Sequence, residues 1–101
     1  MVKFKDLNVG GFMYMYHYDS SKCNWVVSDK VIMNINKDRN DSIRFDLGYH
    51  SRKGIVITES INICNTYCDK SQTSIGDMEL FTTRDAAMKH MFKEKPLIQA
   101  F

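Results

Sequence analysis

Cys64-Asn65-Thr66-Tyr67-Cys68 is a C-x3-C pair, the one paired set of potential metal ligands in the sequence. In a strand its two α-carbons stand on the order of 13 Å apart at about 3.3 Å per residue, too far for a mutual disulfide or a shared ion. If the segment coils into a helical turn, the pair could share zinc with Cys23 or His50. No second paired-ligand motif accompanies it, so neither a metal nor a cofactor is expected. An odd number of cysteines reads as free thiols. His17, His50 and His90 have no spaced partner of the H-E-x-x-H kind. No sequence signal supplies a nucleophile with its base, an orienting third group and an oxyanion hole, and there is no Gly-rich phosphate loop. The expectation is a protein that is not an enzyme.

Two sets of residues could bind rather than react. Tyr14, Tyr16 and Tyr18 alternate along residues 12–18 and share a strand face with Phe12, while Met13, Met15 and His17 share the other. An exposed tyrosine ladder stacks bases or packs a protein partner; a buried one is simply core. Three buried hydroxyls would each need a partner, whereas methionine needs none. That balance favours Met13 and Met15 inside and the tyrosine face partly wet. The second set is Arg44, Arg52 and Lys53, with Lys37 and Arg39 nearby in sequence. Gathered together, they could hold phosphates. Asp38, Asp41 and Asp46 interleave with them, which favours an ordinary solvated edge.

The elements that must carry these residues are mostly strands. Residues 12–18 are rich in aromatic side chains suited to a pleated surface. Residues 25–27 and 31–35 form a second strand region with a possible break at Ser28-Asp29, and Val31, Met33 and Ile35 are expected to point inward. Residues 42–49 alternate most clearly, with Ile43, Phe45, Leu47 and Tyr49 in and Ser42, Arg44 and Asp46 out. Residues 50–54 make a hairpin connection to a β-branched strand at 55–58, which resumes at 61–63 after a bend. Residues 69–76 are polar and loop-like, and 77–81 form a last short strand. Thr82 or Thr83 then caps a helix that Pro96 ends. Its apolar stripe is Ala87, Met88, Met91 and Phe92. The tail, residues 97–101, is apolar enough to dock back.

A chain of 101 residues, 44% hydrophobic and 26% charged, is expected to be a single globular domain spanning 1–101. Its α+β class follows from the element order: a small antiparallel β-barrel or strongly bent sheet, SH3-like, with one C-terminal α-helix that caps an open end or covers an edge. The net charge is +2, with nine Lys/Arg against six Asp/Glu in residues 1–53 and five against six in residues 54–101. That tilt falls short of the basic excess typical of nucleic-acid binders. No apolar run has membrane-spanning length and the start lacks a signal-like apolar segment, so no membrane partner and a cytoplasmic location are expected. Phe, Tyr, Met, Ile, Asn and Lys abound, residue types with A/T-rich codons.

Two segments carry a resemblance. Residues 4–14, Phe4-Lys5-Asp6-Leu7-Asn8-Val9-Gly10-Gly11-Phe12-Met13-Tyr14, resemble the opening of small SH3-like barrels, an apolar residue and Val-Gly-Asp before an alternating strand. Gly11 stands at the Asp position. Leu80-Phe81-Thr82-Thr83-Arg84-Asp85-Ala86-Ala87 resembles the strand-to-helix closure of small accessory proteins of tailed bacteriophages. The two segments cover about a fifth of the chain. The resemblance implies a host-takeover or anti-defence factor and carries over no catalytic residue.

The expected function is therefore binding to a host macromolecule, foremost a protein, through a strand edge or the tyrosine face, with steric blocking or modulation as the mechanism. The alternative is a nucleic-acid-binding barrel using Tyr14 and Tyr16 for stacking and Arg44, Arg52 and Lys53 for phosphates. A small nucleotide-binding domain or enzyme, with a pocket formed between protomers of a homo-oligomer, is the third reading.

Overall fold

Period-two alternation folds residues 12–63 into a four-stranded meander: β1 (Phe12–Asp19), β2 (Asn24–Lys37), β3 (Ile43–Ser51) and β4 (Gly54–Ile63). The computed structural model describes residues 1–38 and 40–95. Asp19 shapes the first turn, its Oδ1 accepting from the Ser21 N–H at 3.0 Å and the Ser21 hydroxyl at 2.6 Å. A helical turn, α1 (Asn65–Cys68), leads to a hairpin of β5 (Gln72–Ile75) and β6 (Met78–Phe81). Gly76, at φ +60°, takes the left-handed corner of that hairpin without the backbone strain that an L side chain brings there. The hairpin docks beside β1, giving an open antiparallel half-barrel in the order β4-β3-β2-β1-β6-β5. The α+β class with a bent, SH3-like sheet is as the sequence indicated.

One face of the sheet holds the main core. Met13 and Met15, Ile32, Ile43, Phe45 and Leu47, Ile61 and Ile63, and Leu80 meet there, closed by Phe4 and Cys68. Burial of one such large side chain contributes about 1.5–3 kcal/mol. The Phe4 N–H donates to the Lys70 carbonyl at 2.9 Å, and Lys5 pairs with Asp69 at 2.6 Å, fixing the N-terminal turn on the segment after α1. The exposed ion pair adds little by itself. The inward Met13 and Met15 match the favoured reading of β1.

Part of the second face is covered by α2 (Arg84–Glu94), which packs on β1, β2 and β6. Thr83 caps it, its hydroxyl oxygen accepting from the Ala86 N–H at 3.3 Å. The helix thus lies across a face, correcting the expectation that it caps an open end or covers an edge. The cause is Phe81: Leu80 points into the main core, so its neighbour must point the other way and needs cover of its own.

Other strand details also differ from expectation: β4 runs unbroken from Gly54 to Ile63, and Ser42 and Asp46, expected to face out, are buried. β2 runs unbroken through Ser28-Asp29; its irregularity falls between Ile32 and Asn34. That bulge, at Met33, lets both Ile32 and Ile35 meet the core cluster; Met33 is buried as expected, whereas Val31 is only half-buried. Tyr49 is exposed because its end of β3 extends past the core. Residues 72–75 form β5 where a loop is expected, because backbone pairing with β6 supplies the order that a polar sequence does not signal. On α2, Ala87 and Met91 are buried while Phe92 is exposed, so the apolar stripe is narrower than its composition suggests. Pro96 and the docking tail at 97–101 lie outside the described residues.

Candidate functional site

The tyrosine face is not one surface. Tyr16 sits beneath α2, its hydroxyl 2.9 Å from His90 Nδ1, with ring centroids 5.8 Å apart. The hydroxyl donates when that nitrogen is unprotonated. Phe81 lies 6.0 Å from Tyr16 on the same side. Tyr16 is therefore a clamp holding the helix, which removes the middle rung of the supposed stacking ladder. Tyr14 is half-buried against Phe12. Tyr18 is exposed and meets Trp25 edge-on at 5.7 Å. Trp25 was not among the sequence candidates, although the short turn between β1 and β2 sets it directly across from Tyr18.

The basic residues do not gather. Arg44 is the second residue of β3, whereas Arg52 and Lys53 form the tip of the β3–β4 hairpin. Seven strand residues, hence eight residue steps, separate Arg44 from Arg52, roughly 27 Å of extended chain. Arg44 Nε lies 3.6 Å from Asp46 Oδ1, and that oxygen also accepts from the Ser60 hydroxyl at 2.8 Å. Arg39 falls outside the described residues. A single phosphate path over Tyr14, Tyr16 and the three cations would have to span two distant ends of the sheet and pass beneath a helix.

The cysteine segment takes the helical alternative. Cys68 is buried, its thiol facing the carbonyls of Asp41 at 3.2 Å, Cys64 at 3.5 Å and Ile63 at 3.7 Å. Cys64 is exposed just before α1, and Cys23 lies in the β1–β2 turn. Among the described residues, no group of three His, Cys, Asp or Glu side chains is placed to hold a metal ion.

Burial, with the nearby Asp69 and Asp41 carboxylates, pushes the Cys68 thiol above its ordinary value, which disfavours the nucleophilic thiolate. Burial also raises the Tyr16 phenol, helped by Glu79 and Glu94. Both groups hold protons in the folded state that the unfolded chain releases sooner. The stability tied to them is fully present below the ordinary thiol value of 9.0 and is lost as pH rises through it and then through the ordinary phenol value of 10.0. Urea midpoints are expected to fall between about pH 8 and about pH 10.5, and less so in Tyr16→Phe. Equal midpoints at both values would contradict this account.

What remains open is the part of the second face beside α2. Ile57, Gly48, Val31 and Phe12 are direct cross-strand neighbours from β4 to β1, so they form one row on that face. Phe12 is 42% exposed, Ile57 41% and Ile55, next along β4, 53%. β4 is also an outer strand. Its ten residues contain no Lys and no Pro, and its only charge is Glu59. Such an edge offers unpaired N–H and C=O groups with little to repel another strand. No protein-family model, curated protein or solved structure matches the chain. Among the described residues, no helix is long and apolar enough to cross a membrane.

Proposed function

We propose that this chain is a non-enzymatic binding protein that occupies the surface of a protein partner and blocks or modulates it. The observation that supports the reading best is the coincidence of the β4 edge with the apolar row through Ile57, Gly48, Val31 and Phe12. An extended partner segment can add to the edge by main-chain hydrogen bonds while its side chains cover Ile55 and Ile57. The partner class is a host protein, in keeping with the resemblance of residues 80–87 to phage accessory proteins. Nucleic acid is the lesser reading, since Arg44 and the Arg52-Lys53 tip lie at opposite ends of β3.

The test is affinity capture from bacterial lysate with the intact protein and with Ile55→Glu/Ile57→Glu. Both side chains are exposed, so the variant is expected to keep its circular dichroism spectrum and melting curve. The intact protein should retain one partner in stoichiometric amount, and the variant should retain it at least tenfold less. No retained partner, or equal retention by the variant, refutes the reading. Strand-specific binding of DNA or RNA at low salt, weakening steeply as salt rises, would put the nucleic-acid reading in its place.

A further inference from the structure

At the other end of β1 the sheet opens. β6 pairs with β1 at Tyr14–Phe81 and Met15–Leu80, where the described ladder ends. Beyond that point the strands diverge around a cleft of about 380 Å³. Tyr16, Tyr18 and Trp25 line one side, and Ile75, Asp77 and Met78 of the β5–β6 hairpin line the other. The tryptophan meets both tyrosines nearly at right angles, at 73° for Tyr16 and 85° for Tyr18.

We propose that this cleft binds an organic cation, an alkylammonium or guanidinium group. Three observations converge on that chemistry. Aromatic faces attract cations through the ring quadrupole, tryptophan most strongly. The chain already demonstrates the contact: Lys95 Nζ rests 4.9 Å from the Trp25 ring centroid. Carboxylates flank the cleft, with Lys95 and the His17 imidazole beside them. Asp77 lines the cleft, and Glu79 and Glu94 lie close enough to Tyr16 to raise its phenol. Among the described residues neither Asp77 nor Glu79 has an ion-pair partner, and Glu79 Oε2 is buried with no hydrogen bond. A buried carboxylate oxygen in that state is costly, and a cation nearby offsets the cost. Lys95 is the resident competitor at the Trp25 ring. The site is separate from the β4 edge, so it stands or falls independently of the proposed partner surface.

Trp25 is the only tryptophan, so its fluorescence reports on this site. Tetramethylammonium chloride represents a free small cation, and acetyl-Gly-Arg-Gly-amide represents a cation carried on a polypeptide. Each is titrated into the full chain, with sodium chloride and neopentyl alcohol as ionic and neutral controls. At least one cation should give a saturable change, and bound tetramethylammonium should show upfield-shifted methyl protons from the ring current. Affinity should fall at least fivefold in Asp77→Asn and in Tyr18→Ala, and rise about threefold in Lys95→Met as the competing cation is removed. Tighter binding of the peptide assigns the cation to a polypeptide ligand, and tighter binding of tetramethylammonium assigns it to a small molecule. A response linear in concentration and equal to that of sodium chloride overturns the proposal. So does neopentyl alcohol binding as well as the cations, or an affinity unmoved in all three variants.

Discussion

Gly48→Ala is expected to lower the melting midpoint by roughly 15 °C, since an added Cβ meets backbone more closely here than at the other four glycines. Gly48 is not in the left-handed region, so its backbone angles would tolerate alanine. The obstacle is space. A Cβ at this position would lie 1.8 Å from the Val56 carbonyl oxygen, 2.9 Å from the Val56 carbonyl carbon and 3.0 Å from the Ile57 Cα. All three are backbone atoms of β4, so no side-chain rotation relieves the clash. The β3–β4 register shifts between Leu47 and Gly48, and the Thr58 hydroxyl donates to the Leu47 carbonyl at 3.2 Å beside it. Alanine would push the outer strand away from this bulge at a cost of about 3 kcal/mol, the upper end for an overpacked site. The displaced strand is also the proposed partner edge, so partner capture should weaken at temperatures where the variant is still folded. A melting curve within a few degrees of the original would show that β4 yields without cost.

Phe81→Ala is expected to cost about 3–5 kcal/mol and to loosen α2 before the rest of the sheet. Phe81 is fully buried and lies 6.0 Å from Tyr16 and 5.4 Å from His90. Removing the ring leaves a cavity beneath the Tyr16–His90 hydrogen bond, the contact that holds the helix on the second face. The helix carries Lys95 to Trp25, so Trp25 should become more solvent-exposed as it loosens. The expected record is a red-shifted tryptophan emission at low urea, ahead of the loss of the β-sheet circular dichroism signal. Simultaneous transitions, or a destabilisation below about 1 kcal/mol, would place the helix's attachment elsewhere.

The order of elements was legible where side chains alternate without interruption. Ile43, Phe45 and Leu47 could be assigned inward from spacing alone, because a half-buried strand must repeat every second residue. A threonine cap at 82 or 83 was equally local, because a hydroxyl satisfies one free N–H in the first turn; the structure uses Thr83. The sequence reading passed over Gly48, although glycine inside an alternating strand marks a bulge or a close backbone approach. Alternation does not carry through a bulge: Ile32 and Ile35, three residues apart in β2, both meet the core cluster.

The candidate site was less legible. Tyr14, Tyr16 and Tyr18 share a face by local geometry, but three different fates await them. Tyr16 meets a histidine 74 residues away, a contact no spacing rule anticipates. Arg44 and Arg52 are close in sequence yet far apart in space, because an extended strand converts each residue into about 3.4 Å of separation.

The sequence by itself determined the class of fold, the strand-to-helix closure and the inward turn of Met13 and Met15, since those depend on periodicity and on hydrogen-bonding needs within a few residues. Only the tertiary structure decided that β5 and β6 lie beside β1, that α2 covers part of the second face, and that the outer β4 strand and the Trp25 cleft are left open. Those outcomes depend on which distant surfaces exclude water together, and that free energy belongs to pairs of segments far apart along the chain.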